Sequence, residues 1–230
     1  MTRKIKLWHI SDTHGDHALL TVPKGIKIVI HSGDHSNHYD EYRNEPEARA
    51  FLHWFGKLKI PYKILIAGNH DAFAARSNQE FRNLCAMYDI IYLENDWTYV
   101  EGIKIWGSPL TPTFKTWHFM KDRSTLHDVW KQIPEDTDIV IVHGPPKGIL
   151  DASYRNDGTT DKCGCLSLKK HILERIKPKF VLFGHIHNNE DIINAGVLKL
   201  SVHDTIFSNG SVVTDGKFGR LSSNGNILAV

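Results

Sequence analysis

Sulfur is scarce in this chain of 230 residues, which has three cysteines and three methionines. An odd, low cysteine count excludes a disulfide scaffold and suits free thiols in a reducing compartment. Cys163-Gly164-Cys165 is a CxC without a second pair, so it does not build a zinc site. Long hydrophobic runs are missing too. The longest, at residues 139–142 and 180–183, fall far short of the ~20 residues a membrane helix needs. Residues 1–8 read without the apolar core of a signal peptide. These absences set the expectation of a cytoplasmic protein with no membrane partner. Charge of one sign is lacking as well: 28 Lys and Arg stand against 26 Asp and Glu. That argues against an extended nucleic-acid sleeve, while a small nucleotide substrate stays open. At 41% hydrophobic and 23% charged residues the chain has the means to bury a core rather than stay disordered. No repeat, low-complexity tract or linker interrupts it, so a single domain over 1–230 is expected, with the oligomeric state left open.

What the chain has in excess is histidine, fifteen in all. Count alone means little, but position does. Short branched runs at residues 4–10, 26–31, 63–67, 137–143 and 180–183 read as strands. Each ends in a polar cluster: Asp12-Thr13-His14, Gly33-Asp34-His35, Gly68-Asn69-His70-Asp71, His143-Gly144, and Gly184-His185-Ile186-His187. Helices are expected at 45–59, 80–87, 126–132 and 166–176, and further strands at 90–93, 97–100 and 103–108. Residues 109–123 and 151–164 read as loops. The tail reads as short strands with hairpin turns at Asn209-Gly210, Asp215-Gly216 and Asn224-Gly225. Strands alternating with helices, plus a strand-rich middle and tail, predict an α/β fold: a layered β-sandwich with mixed sheets, flanked by helices.

In α/β sheets, ligands gather beyond the carboxyl ends of strands, so the five clusters are expected at one rim. Asp12 and His14 are two apart, as are His185 and His187, and the period of a strand would point each pair one way. Asp34 has two carboxylate oxygens and can bridge two cations. Asn69 adds a neutral oxygen and His143 an imidazole. Nitrogen and oxygen donors without thiolate suit manganese, iron, zinc or nickel, and two such ions form a known device for phosphoryl transfer. The expected nucleophile is a metal-bound hydroxide. His70 is placed to protonate the leaving oxygen, with Asp71 expected to hold its imidazole. His35 and His38, beside Asp34, are candidate substrate contacts. Phe114, Trp117 and Phe119 are candidates for stacking or core packing. Singly, each motif also reads as an ordinary turn or a satisfied histidine; their joint occurrence carries the argument.

In this order the motifs resemble the calcineurin-like metallophosphoesterase superfamily: D-x-H at Asp12 and His14, GD at Asp34, GNH-D at Gly68–Asp71, H at His143, and GH-x-H at His185 and His187. The narrower pattern is similar to the metallophosphoesterase-domain-containing proteins related to class III cyclic-nucleotide phosphodiesterases. It rests on His143-Gly144-Pro145-Pro146-Lys147-Gly148, Gly164-Cys165 with Leu168, and Thr205-Ile206-Phe207 before Asn209. The resemblance implies the α/β/β/α fold of that superfamily. It also implies two divalent ions, manganese first, one held by Asp12, His14, Asp34 and His187 and the other by Asp34, Asn69, His143 and His185. The implied activity is hydrolysis of small phosphodiesters, cyclic nucleotides among them. Phosphomonoesterase and nuclease activity on the same fold are the alternatives, and a non-catalytic scaffold is disfavoured because His70 and all seven ligands are present. The chain departs from the subgroup at His35, where an aromatic is usual, and at Asn188-Asn189-Glu190.

Overall fold

The computed structural model describes residues 4–155, 157–215 and 221–230. The first half runs β1 (Lys6–Ile10), β2 (Ile28–Ser32), α1 (Glu41–Lys57), β3 (Tyr62–Ile66), α2 (Ala72–Arg76), α3 (Asn78–Met87) and β4 (Ile90–Tyr92). A hairpin follows, β5 (Asp96–Val100) and β6 (Ile103–Ser108), then two short strands, β7 (Thr111–Pro112) and β8 (Met120–Lys121), and α4 (Leu126–Trp130). The second half continues with β9 (Ile139–Val142), β10 (Ala152–Tyr154), β11 (Thr160–Lys162), α5 (Leu166–Lys170), β12 (Phe180–Phe183), β13 (Gly196–Lys199), β14 (Ile206–Asn209) and β15 (Asn226–Ala229).

Two mixed sheets carry the molecule. One is ordered β15-β1-β2-β3-β4, the other β13-β14-β12-β9-β6-β5. In the first, β1 through β4 are parallel and β15 closes antiparallel on β1; in the second, β6, β9, β12 and β14 are parallel between antiparallel edges. Residue alternation sorts the strands into layers. Leu7, Ile28, Ile30, Ile64 and Ile66 meet Ile105, Ile139, Ile141 and Leu182 between the sheets. Trp8, Ile10, Val29 and Leu65 face outward onto Phe51, Leu52 and Phe55 of α1 and Phe81 of α3. Val140, Val142, Val181 and Phe183 pack on Leu126, Trp130, Leu168 and Ile172. Helix, sheet, sheet, helix is the expected layering.

Several elements differ from the sequence reading. Helix α1 starts four residues early because Asp40 caps it, its carboxylate accepting from Arg43 N at 3.0 Å, which leaves Pro46 in the second turn. Residues 109–123 contain the β7–β8 pair, and residues 151–164 fold back as the antiparallel β10–β11 pair. The helix begun at Leu166 widens to π geometry over His171–Ile176 and stops at Lys177, which has φ 51°. Asn209-Gly210 is no hairpin: β14 pairs antiparallel with the strand before it and parallel with β12, and the chain beyond Gly210 bridges to Ser11. Asn224-Gly225 leads into β15, which finds its partner in β1, so long-range pairing overrides the turn preference. Part of the expected Asp215-Gly216 turn lies outside the described residues.

Candidate metal centre

The five polar clusters do meet at one rim, but the backbone that aims them is not strand. Asp12, His14, Asp34 and His185 all have positive φ, at 54°, 41°, 57° and 68°. Each lies beyond its strand, in the sparsely populated left-handed region where a non-glycine residue carries strain. The period-two argument for Asp12 and His14 therefore fails, since β1 ends at Ile10 and left-handed turns, not pleat, converge the side chains.

Backbone bonds tie the loops together. Asp12 N donates to Gly33 O (2.9 Å), His14 N to Asp34 O (3.2 Å) and Gly15 N to His35 O (3.1 Å). His185 N donates to the Asp12 carboxylate at 3.0 Å, and His70 N to Asp34 Oδ1 at 2.8 Å. Two glycines admit this crowding. A Cβ on Gly68 would stand 2.2 Å from Asp34 Oδ1, and one on Gly184 would stand 2.1 Å from Asp12 Oδ2.

The donor atoms fall into three overlapping groups, each within 4.8 Å: Asp12, His14 and His187; His14, Asp34 and His70; Asp34, His143 and His185. Asp34 belongs to two of them, and Asn69 Oδ1 lies 2.9 Å from His143 Nε2. All seven expected ligands are thus brought together, with His70 against them: the His14 and His70 rings stand edge-on at 4.7 Å. Burial alone would raise the Asp12 and Asp34 carboxyls. The imidazoles facing them, His187 for Asp12 and His143 for Asp34, outweigh it and hold both well below the usual range. Burial would lower His143 and His187, yet Asp34 lifts the first to about 9, and Asp12 with Asp215 lifts the second to about 10. His185 goes the other way, to about 3, through burial and the neighbouring His143, and among the described residues its ring nitrogens meet no hydrogen-bond partner. Two buried carboxylates, an amide oxygen, four imidazoles and no thiolate form a donor set that fits divalent transition ions.

His70 donates from Nδ1 to Asn37 O at 2.8 Å and stacks on Trp117 at 4.1 Å, with an interplanar angle of 29°. Asp71 does not hold it. Fully buried, Asp71 accepts from Gly68 N (2.7 Å), Asp34 N (3.0 Å) and Ser36 N (3.0 Å) and meets His35 Nδ1 at 3.0 Å, off-axis for a hydrogen bond. It braces the two loops bearing Asp34 and Asn69, because the chain turns into α2 at Asp71 and carries its side chain inward. His35 is likewise no substrate contact: its ring is buried, stacked on Phe51 at 4.8 Å and Phe81 at 5.5 Å. It fills the place of a core aromatic. His38 is bound through Nδ1 to Glu47 at 2.6 Å, securing the loop to α1. His31 is satisfied within the fold: Nδ1 accepts from Gly33 N, leaving Nε2 to donate to Thr13 Oγ1 at 3.1 Å. His17 packs on Phe51 and Trp54.

Sequence reasoning missed Asp215, whose carboxylate lies 2.7 Å from His187 Nδ1 and orients that ring. It also missed Asn44 of α1, whose amide donates to His38 O and His70 O, both at 2.7 Å. Neither sits in a ligand motif; only the fold brings buried Asn44 and exposed Asp215 to the site. Beside the cluster, one groove of about 500 Å³ is lined by His14, Asn37, His70, His187 and Asp215. A second, about 460 Å³, reaches from Asp34 and His185 past Phe114, Lys115 and Trp117 to Arg123. Phe114 lies 5.4 Å from the His185 ring, and Phe119 packs against the core. No helix among the described residues is long and apolar enough to cross a membrane.

Comparison with known proteins agrees with this geometry. Metallophosphoesterase domain-containing protein 1 of Homo sapiens is 31% identical over 227 residues, covering 89% of this chain and 65% of that protein. UPF0046 protein K07C11.7 of Caenorhabditis elegans is 30% identical over 208 residues, covering 85% of this chain and 68% of that protein. The chain thus spans just under two thirds of the human relative. A solved crystal structure superposes with a TM-score of 0.68 over 90% of both chains at 16% identity, a likeness of fold. Residues 5–189 match the profile of the Calcineurin-like phosphoesterase family, and the chain belongs to that family.

Proposed function

We propose that this chain hydrolyses small phosphodiesters, cyclic nucleotides among them, with two divalent ions, manganese first, shared across Asp34. The observation that carries this reading is the convergence of donors from five strand-end loops on three overlapping groups, two of which share Asp34 while His14 links the third to them. One ion would be held by Asp12, His14, Asp34 and His187, and the other by Asp34, Asn69, His143 and His185. Such a pair, when bound, neutralises phosphate charge and lowers the pKa of water. The remaining work falls to the protein. The ionised, buried Asp12 and Asp34 set the charge of the site. Asp215 fixes the His187 ring. His70, with Nδ1 committed to Asn37 O, keeps Nε2 to protonate the leaving oxygen. Trp117 holds that ring in plane from one side, and Phe114 with Trp117 walls the groove where the ester's organic group lies.

The test is hydrolysis of bis-p-nitrophenyl phosphate and of mono- and diester nucleotides by metal-stripped protein given manganese, iron, zinc or nickel in turn. Manganese-dependent diester cleavage, lost in Asn69→Ala and His187→Ala with the fold intact, is the expected outcome. Full activity in either variant overturns the ligand assignment. Preference for monoesters would make the chain a phosphomonoesterase, and preference for polynucleotides a nuclease.

A further inference from the structure

Away from the ligand cluster, behind the 163–165 stretch, lies a cavity of about 730 Å³ whose lining includes Arg123, His127, Lys147, Lys170 and Glu174. Glu174 is the one carboxylate on that lining. Among the described residues Arg123 and Lys170 make no ion pair with a carboxylate, and Lys147 has Asp161 within electrostatic reach but outside ion-pair distance. Arg123 spends its guanidinium on neutral acceptors, donating to Gly164 O at 2.9 Å and Cys163 O at 2.7 Å. A concave surface lined by more cations than carboxylates concentrates field at its centre.

Hydrogen-bond direction adds a donor. Arg175 Nε donates to His171 Nδ1 at 3.1 Å, so the proton of neutral His171 sits on Nε2. Burial, with Arg175 beside it, lowers His171. His171 Nε2 therefore donates to His127 Nδ1 at 3.0 Å. That places the proton of His127 on Nε2, which meets no acceptor among the described residues. Two ammonium groups, a guanidinium and an oriented imidazole N–H make a surface that offers donors and positive charge, the chemistry phosphate oxygens take.

We infer that this cavity binds the phosphate group of a small nucleotide-like anion, at a site separate from the ligand cluster. Arg123 lines both this cavity and the groove leading to Asp34 and His185. The phosphate can thus come from the far end of an extended substrate or from a free nucleotide.

The test is calorimetric titration of the full chain with 5′-AMP, set in Asn69→Ala protein so that the ligand cluster contributes little. Lys147→Glu with Lys170→Glu should weaken AMP binding by roughly tenfold or more, as reversal of two charges at an anion site does. Lys147→Ala with Lys170→Ala should give a smaller loss, and circular dichroism should show the fold kept. Unchanged AMP affinity in both double variants overturns the site. With Asn69 restored, kinetics separate the two sources. If the phosphate belongs to the substrate, the charge reversal raises KM for a dinucleotide bearing a 5′-phosphate and leaves KM for the same dinucleotide without it unchanged. If it belongs to a free nucleotide, neither KM moves while AMP binding is lost. Failure of the phosphodiesterase reading would show as no turnover of either dinucleotide and would leave the binding result standing.

Discussion

Asp71 offers the sharpest check on how the site is built, because Asp71→Asn changes one atom and keeps the volume. Its Oδ2 accepts from Asp34 N and Gly68 N, and its Oδ1 from Ser36 N. The asparagine amide can keep its oxygen toward the first two, which turns its NH2 against the Ser36 N–H and leaves that buried donor unpaired. An unsatisfied buried donor costs about 1–3 kcal/mol, and the two retained bonds each weaken by about 1 kcal/mol on losing the charge. The sum is about 3–5 kcal/mol, a large share of the ~5–15 kcal/mol that holds a typical domain together. Asp71→Ala, which orphans all three donors, should lose more. Urea unfolding followed by tryptophan fluorescence measures it, as a lowered midpoint at unchanged slope. A loss within about 1 kcal/mol of wild type would refute the bracing role. Kinetics separate that role from the alternative. Bracing of the Asp34 and Asn69 loops predicts an equal fractional loss of turnover for good and poor leaving groups. Orientation of His70 would predict a loss confined to poor ones.

Three further outcomes are expected. His70→Ala should slow esters with poor leaving groups by roughly a hundredfold while leaving p-nitrophenyl esters nearly untouched, with Trp117→Ala giving a milder version; equal losses on both ester types would remove His70 from the acid role. Gly184→Ala, whose new Cβ would stand 2.1 Å from both Asp12 Oδ2 and Ser11 Oγ, should abolish metal-dependent activity and lower stability by about 1–3 kcal/mol or more; wild-type turnover would show that the loops give way freely. His9 is buried between the sheets, bonded to Ser208 Oγ at 2.8 Å and Ser32 Oγ at 2.9 Å, and burial pushes it to about 3. Its folded value is depressed, so its contribution is whole above the unfolded value near 6.5 and is lost as pH falls toward 3. Unfolding of His9→Gln should show a pH slope shallower by one proton, about 1.4 kcal/mol per pH unit, between those limits. An unchanged slope would count against it.

The candidate ligands were legible in the sequence because each sits in a short motif just past an apolar run, and strand ends in an α/β sheet share a rim. The layering was legible for a similar local reason: alternation along β1, with Leu7 facing the other sheet and Trp8 facing the helices, is written residue by residue. What each non-ligand residue does was not legible. Asp71 follows His70 in sequence, yet its carboxylate turns to Asp34, Ser36 and Gly68. His35 follows Asp34, yet its ring goes down onto Phe51 and Phe81. Asn209-Gly210 and residues 151–164 were misread because pairing partners lie far along the chain and outweigh local turn chemistry. Asp215 and Asn44 carry no ligand motif, and only folding brings them to His187 and His70. By itself, the sequence determined the candidate donor set, the strand ends that bear it and the alternation that buries one face of each strand, since these depend on neighbours two or three residues apart. Tertiary structure alone decided the left-handed turns that aim the ligands, the carboxylate that braces their loops and the cation-lined cavity behind them, because each is made by side chains that meet only when distant strands and helices pack.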